Sequence, residues 1–197
     1  MANTDRIQEI IRVNHGFITS AEAALKGIHR WYLSDMVKHG LLVRVNRGLY
    51  AALDEPFLDD DYRFQLQYSK FIYSYQSALY YHGLSDQIPL KREVTAFKGY
   101  HPTSSKMDAI VHYVKTSLYD IGVMEQETAF GNKVKVYDME RTICDLILHR
   151  KDIDAEIFIK AVKKYAKSPK KNTMKLYMVA EVFGIGREVY NIFELLD

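Results

Sequence analysis

The sequence has little cysteine, little proline and no long apolar run, and each shortage excludes a class of protein. Its 197 residues include one cysteine and four prolines. A single cysteine cannot form an internal disulfide, and it leaves no multi-cysteine zinc site. No apolar stretch reaches the roughly 18 residues that a membrane span needs. Charges in the first sixteen residues are atypical of a signal peptide, so we expect a soluble cytoplasmic protein that binds no membrane.

The net charge is only +2, but the charge is unevenly distributed along the chain. Residues 1–52 hold seven basic and four acidic residues, a local excess of +3. Residues 53–61, LDEPFLDDD, hold five acids and no base. Such a shift in composition is typical of a linker between domains. We therefore predict a first domain over residues 1–54 and a second domain over residues 60–197.

Three short amphipathic segments open the chain. Residues 5–14 repeat isoleucine at helical spacing, which predicts a helix that docks on a core. Thr19 and Glu22 have the spacing of a capping box, which begins a second helix. A third helix is predicted over residues 28–39, and Gly40 is placed to end it in the left-handed conformation. Two helices joined by a glycine-containing turn form a helix-turn-helix.

The stretch VRVNRGLYAA, Val43 to Ala52, follows the third helix and predicts two strands around a turn. Gly48 is placed to take the positive φ that a three-residue hairpin loop with a bulge needs. Three helices followed by such a ribbon form a winged helix-turn-helix. In that fold the third helix reads base edges in the major groove, while the ribbon tip contacts backbone or minor groove. Arg47 at the tip is therefore predicted to contact phosphate or a narrow minor groove.

The predicted DNA-binding residues lie at the start of the second helix, along the third helix and in the hairpin. They are Thr19, Ser20, His29, Arg30, Trp31, Ser34, Lys38, Arg44, Asn46 and Arg47. Since one copy would make few phosphate contacts, we expect a dimer or paired copies on one DNA site. Asp35 lies on the same outward face, where it is unfavourable beside phosphate. Winged helices also occur as protein-binding modules, and that alternative stays open.

Residues 60–197 are predicted to form a mixed α+β domain with several C-terminal helices, which makes the whole chain α+β. Four strand-like runs predict a mainly antiparallel sheet. They cover residues 92–98, 110–115, 121–130 and 133–138. Helices are predicted near residues 75–82, 139–150, 154–167, 174–183 and 187–196. Arg141 and Asp145, four residues apart, are predicted to pair along the surface of the second of these helices.

The predicted helix over residues 154–167 overlaps a lysine-rich stretch without acids, KAVKKYAKSPKK, at residues 160–171. Ile157, Ile159 and Val162 are predicted to turn inward. The predicted partner surface is the opposite arc, formed by Lys160, Lys163, Lys164 and Lys167. Binding of DNA backbone, tRNA or an acidic partner and a merely solvated face are both open readings of this arc.

No catalytic residue, metal site or cofactor is predicted. His15, His39 and His82 each precede a glycine at a predicted helix end, where an imidazolium suits the negative end of the helix dipole. Cys144 is predicted to be a small buried hydrophobe without a general base. Glu93, Asp138 and Glu140 are the only loose candidates for the clustered carboxylates that an enzyme would need.

Four blocks of the chain carry a resemblance to a known family. They are HGLLVRVNRGLY, SALYYHGLS, VYDMERTICDLI and NTMKLYMVAEVFGIGREVYNIFELL. In this order they resemble the AbiEi antitoxin family of abortive-infection, type IV toxin–antitoxin systems, which act in phage defence. The resemblance implies an N-terminal domain that binds inverted repeats in its own promoter and represses transcription. It also implies a C-terminal domain that antagonises a nucleotidyltransferase toxin, typically without a stable complex.

Three function classes are therefore open. The first is a DNA-binding antitoxin and transcriptional autorepressor without enzymatic activity. The second is a nucleic-acid-modifying enzyme with a winged-helix targeting domain, and the third is a protein-binding scaffold that uses the lysine arc.

Overall fold

The computed structural model describes residues 2–53, 59–102 and 107–194. The chain forms two compact units, of which the first combines Met1–Ser69 with Glu127–Val134. The second combines Lys70–Gln126 with Lys135–Asp197. The core of the predicted linker, residues 54–58, lies outside the described residues. The predicted α+β class, with helices and strands at the N-terminus and helices at the C-terminus, is confirmed.

The first unit is built from four helices and three strands in its described part. The helices are α1 (Asn3–Val13), α2 (Ser20–Leu25), α3 (Arg30–Lys38) and α4 (Asp60–Gln67). The strands are β1 (Phe17–Thr19), β2 (Leu42–Asn46) and β3 (Leu49–Ala52). Strand β3 lies between β1 and β2 and pairs antiparallel with both. The three predicted helices and the hairpin are confirmed, whereas β1 and α4 were not predicted.

Local hydrogen bonds explain where the helix-turn-helix begins and ends. The Thr19 hydroxyl accepts from Glu22 N–H at 3.0 Å, and the Glu22 carboxylate accepts from Thr19 N–H at 2.9 Å. This pair is the predicted capping box. At the end of α3, Gly40 has φ +67°, and Leu41 N–H donates to Met36 O at 2.9 Å. Gly40 therefore ends α3 in a Schellman turn, as the sequence predicts.

A small apolar core holds the three N-terminal helices on the sheet. Its buried members are Ile7, Ile11, Ile18, Ala23, Ile28, Leu33, Met36, Leu42 and Tyr50. Each helix from α1 to α3 and each strand from β1 to β3 contributes at least one side chain to this core, and Ile28 joins it from the loop between α2 and α3. Leu33 and Met36 of α3 face this core, and Tyr32 and Val37 pack against its margin. Arg30, Trp31, Ser34 and Lys38 are exposed on the same helix.

The second unit contains a five-stranded sheet and further helices. Its strands are β4 (Ile72–Tyr73), β5 (Arg92–Phe97), β6 (Ala109–Val114), β7 (Val123–Glu127) and β8 (Lys133–Tyr137). The hairpin tip between β7 and β8, Glu127–Val134, belongs to the first unit. Its helices are α5 (Tyr75–Tyr81), α6 (Thr116–Tyr119), α7 (Met139–Leu148), α8 (Ala155–Lys167), α9 (Thr173–Phe183) and α10 (Gly186–Glu194), with a 3₁₀ turn at Arg150–Asp152.

The second sheet differs from the prediction in its strand directions. Its order is β6-β5-β4-β8-β7. Strands β5 and β6 are parallel over six residue pairs, and β4 is parallel to β8, while β4 and β5 are antiparallel. The sheet is therefore mixed and not mainly antiparallel. The physical reason is the long connection between β5 and β6, which lets the chain cross over before it pairs again.

Helix α7 is buried from Met139 to Ile147, and this corrects the predicted surface ion pair. Arg141 and Asp145 do pair, with Nε 3.0 Å from Oδ2, but their side chains are 0% and 2% exposed. Burial raises the pKa of Asp145, and the charge of Arg141 opposes that rise. Cys144 is also buried, which raises the pKa of its thiol to about 12. It is the predicted small hydrophobe.

Two further predictions about helix surfaces are wrong. Ile159 is 47% exposed on α8, whereas Val162 is buried and Ile157 packs partly buried against the core, as predicted. Phe158 and Ala161 complete the inward face of that helix. His82 does end α5, but burial lowers its pKa, which disfavours the predicted imidazolium. Its Nε2 lies 2.7 Å from the carbonyl oxygen of Tyr137, a contact that a neutral ring can make.

Candidate nucleic-acid interface

The outward face of α3 carries the predicted base-reading residues. Arg30, Trp31, Ser34 and Lys38 are all exposed there, and Trp31 is 56% exposed. The Trp31 ring packs edge-on against the neighbouring Tyr32, with the ring centroids 5.1 Å apart. The helix can therefore present two basic groups, a hydroxyl and an indole to a ligand. Such groups match base edges, phosphates and base faces.

His29 lies at the beginning of this helix and has a structural task. Its Nδ1 accepts a hydrogen bond from Trp31 N–H at 3.2 Å, so the imidazole is the N-cap of α3. The ring remains exposed. Ser20, His29 and Arg30 line one open cavity of about 430 Å³ between α2 and α3. The structure thus brings together predicted residues from both helices.

The wing turn lies beside the first residue of α2. Ser20 N–H donates to Gly48 O at 2.8 Å. Gly48 has φ +83°, as predicted. The predicted three-residue loop is wrong, because Asn46 pairs with Leu49 and leaves only Arg47 and Gly48 in the turn. The register shifts between Arg44 and Asn46, which is the irregularity expected of a bulge. Arg47 is exposed at the tip of this hairpin.

Three of the predicted residues have side chains that are engaged or partly covered. The Thr19 hydroxyl caps α2 through Glu22. The Asn46 side chain is half-buried, and its Nδ2 is buried without a hydrogen-bond partner in the part of the chain that the structure describes. Arg44 is exposed on β2, where its Nε donates to the Asn46 carbonyl at 3.3 Å. Their contribution to DNA binding stays a prediction.

Charge on this surface is mostly positive. Within the described residues, no acidic side chain pairs with Arg30, Lys38 or Arg47. Asp35 is half-buried, and its Oδ2 lies 3.6 Å from His39 Nδ1. Sequence reasoning missed this contact, although the i,i+4 spacing of the two residues was a usable signal.

The predicted lysine surface on α8 is less basic than its sequence suggests. Lys160 pairs with Glu156, and Lys164 Nζ lies 2.7 Å from Asp86 Oδ1. Lys163 and Lys167 are exposed, and neither forms an ion pair with a described residue. Half of the predicted charge is therefore neutralised within the protein.

The three carboxylates considered for an enzyme each have their own partners. Glu93 Oε2 lies 3.1 Å from His112 Nε2. Asp138 caps α7 and pairs with Lys175 Nζ at 2.6 Å. Glu140 accepts hydrogen bonds from the Tyr165 hydroxyl and from Asn172 N–H. Among the described residues, no group of three His, Cys, Asp or Glu side chains is arranged to hold a metal ion.

In residues 2–53, 59–102 and 107–194, no helix has the length and apolar character that crossing a bilayer requires. No curated protein matches the chain.

A family model does match the N-terminal segment that forms the helix-turn-helix and the wing. The matched residues are 5–52, which contain all ten predicted DNA-binding positions. The match confirms the resemblance over this segment and supports a DNA-binding antitoxin or regulator in general. Residues 5–52 of the chain thus match the family described as transcriptional regulator, AbiEi antitoxin.

Proposed function

We propose that this protein is a DNA-binding antitoxin that represses its own operon and counteracts a nucleotidyltransferase toxin encoded beside it. One observation carries the proposal. Arg30 and Lys38 on α3 and Arg47 on the wing are exposed and lack acidic partners among the described residues, within a segment that matches AbiEi regulators. Basic groups that the protein does not neutralise itself are available for phosphates. The proposal includes no catalytic activity.

In the proposed complex, α3 enters the major groove. Arg30 and Ser34 lie one helical turn apart and are the residues placed to read base edges. An arginine side chain can form two hydrogen bonds to a guanine edge, and a serine hydroxyl can hydrogen-bond to more than one kind of base. Arg47 neutralises a phosphate or enters a narrow minor groove from the wing. Two copies on inverted repeats would supply the number of contacts that one copy lacks.

The antitoxin activity is assigned to the second unit. Lys163 and Lys167 on α8 are the exposed cations proposed to bind an acidic protein surface or RNA. The other two lysines of this surface already form ion pairs, Lys160 with Glu156 and Lys164 with Asp86. The antagonism is proposed to need no stable complex with the toxin. Co-expression of the adjacent nucleotidyltransferase with this chain tests this part, since restored growth is expected. Arg47→Ala should keep that rescue and lose repression.

The DNA-binding part is tested by fluorescence anisotropy on the upstream region of the operon. We expect tighter binding to this DNA than to a scrambled duplex at about 150 mM salt, as for a specific regulator. Arg47→Ala should weaken binding to both duplexes alike. It should also reduce the slope of log affinity against log salt by about 0.9, which is one phosphate contact. Arg30→Ala and Ser34→Ala should change base preference instead.

Arg12→Ala is the matched control for these variants. Arg12 is an exposed arginine of α1 that already pairs with Glu9 at 2.7 Å, so its loss changes the net charge without removing a proposed contact. The control should leave affinity and salt slope near the wild-type values. Equal affinity for operator and scrambled DNA would refute sequence-specific binding, and an unchanged slope for Arg47→Ala would remove the wing from the interface.

A further inference from the structure

Two adjoining cavities form one groove beside strand β6 in the second unit. The first, of about 260 Å³, is lined by side chains that include Tyr75, Glu93, His112, His149 and Asp152. The second, of about 450 Å³, is lined by side chains that include Ile88, Leu90, Ile110 and Ile157. Gln76, Glu93 and Ile110 line both. We refer to them together as the β6 groove.

One half of the β6 groove is apolar and open to solvent. Ile88 is 73% exposed, Leu90 is 103% exposed and Ile110 is 45% exposed. A single exposed apolar side chain is ordinary on a protein surface. A cluster of exposed apolar side chains around one cavity marks a binding surface, because covering it removes apolar area from water.

The other half of the groove is polar and rich in acids. The Glu93 side chain is only 9% exposed, and its carboxylate reaches His112 Nε2. The Tyr75 ring stacks on His112 with the centroids 3.8 Å apart, and its hydroxyl lies 2.9 Å from His149 Nδ1. Asp152 and Asp154 complete the wall, and no lysine or arginine lines this cavity, whereas Lys91 lines the adjoining apolar one. The surplus of carboxylates favours a cationic group.

Strand β6 supplies the third feature, which is a free edge. It is the last strand of the sheet order, and it pairs with β5 alone among the strands that the structure describes. Such an edge offers backbone donors and acceptors to an added strand. Ile110 and His112 lie two residues apart and so share one face of β6. An added strand spaces its own i and i+2 side chains by about 6.6–6.8 Å on that same face.

We propose that the β6 groove binds an extended segment of a partner protein, added as a strand to β6, with an apolar and a basic side chain two residues apart. The apolar side chain enters the half lined by Ile88, Leu90 and Ile110. The basic side chain enters the half lined by Glu93 and Asp152. Backbone hydrogen bonds to β6 supply affinity, and the two cavities supply the selection of side chains.

A labelled peptide tests this proposal on the full chain. The probe is a fluorescein-labelled peptide of about eight residues with leucine and arginine two positions apart in a threonine and serine background. We expect saturable binding by fluorescence anisotropy. A probe with glutamate in place of arginine should bind at least about tenfold more weakly, because it meets the carboxylates. Asp152→Asn should weaken only the arginine probe.

Ile110→Lys should abolish binding, and Tyr113→Lys is its matched control. Tyr113 is 44% exposed on the opposite face of the same strand, so it takes the same new side chain without facing the groove. The control should bind within about twofold of the wild type. The proposal is overturned if the probe does not bind at about 1 mM or if both probes bind alike. It is also overturned if Ile110→Lys has no effect, or if sedimentation shows that a second copy of this chain occupies the β6 edge.

Discussion

At the residue scale, the spacing of Arg141 and Asp145 predicts that the two side chains pair, but it does not predict that the pair is buried. The i,i+4 spacing of Arg141 to Asp145 predicted a pair, and the pair forms with two Nε contacts of 3.1 and 3.0 Å. Its Nη1 also donates to the carbonyls of Leu118 and Ile121 at 2.6 and 2.9 Å. Those carbonyls lie twenty or more residues away in sequence. The helix periodicity could not reveal them, so the pair was predicted at a surface.

Arg141→Met is expected to lower the free energy of unfolding by about 3–5 kcal/mol near neutral pH, since it leaves the Asp145 carboxylate buried without its cation. Arg141 opposes the rise in the pKa of Asp145, so the variant raises that pKa further. A carboxyl with a higher pKa in the folded state stabilises the fold below its unfolded pKa, and this contribution is lost as the pH rises through the folded pKa. The deficit should therefore shrink as the pH falls from about 7 to about 4.5.

Denaturant melts of both proteins at several pH values measure this deficit. Arg63→Met is the matched control, because Arg63 pairs with Asp60 at 2.6 Å while the two side chains are 39% and 60% exposed. An exposed pair contributes about 0–1 kcal/mol, so this variant should stay close to the wild type. A deficit for Arg141→Met that is constant with pH would contradict the role assigned to Asp145.

At the element scale, the features predicted from sequence are those whose partners lie close together in the chain. Thr19 and Glu22 are three residues apart, and Gly40 immediately follows the last turn of α3. Strand β1 spans only three residues, Phe17–Thr19, which is too short for an alternating pattern to show. Its pairing with β3 depends on residues about thirty positions away. The parallel pairing of β5 with β6 is non-local for the same reason.

Thr19→Ala should lower the free energy of unfolding by about 1 kcal/mol, because α2 loses its N-cap. Thr19→Ser keeps a hydroxyl and should restore most of this loss. The Thr19 hydroxyl also donates to Glu22 Oε2 at 2.9 Å, so its hydrogen-bonding capacity is largely used within the capping box. We therefore expect Thr19→Ser to bind operator DNA as the wild type does. Restored stability with weakened DNA binding would instead favour a direct DNA contact by the threonine methyl group.

At the scale of the whole molecule, the first unit is discontinuous in sequence. Residues 127–134 belong to it, although the sequence between them and Ser69 folds into the second unit. Asp59 is 2% exposed and joins these parts. Its Oδ1 accepts from Tyr62 N–H at 2.9 Å and so caps α4, while its Oδ2 accepts from the Thr128 hydroxyl and from Asn132 Nδ2. The composition shift at residues 53–61 carries no information on this returning hairpin.

Asp59→Asn should therefore destabilise the first unit by about 1.5–3 kcal/mol, because an amide NH₂ replaces an oxygen that accepts two hydrogen bonds. Hydrogen exchange should accelerate in α4 and in residues 127–134, while α7 keeps its protection. Asp60→Asn is the neighbouring control, since Asp60 is 60% exposed and its exposed pair with Arg63 contributes little stability. Unchanged exchange in residues 127–134 would show that Asp59 caps α4 without holding the hairpin to the first unit. Equal acceleration in α7 would show that the two units unfold together.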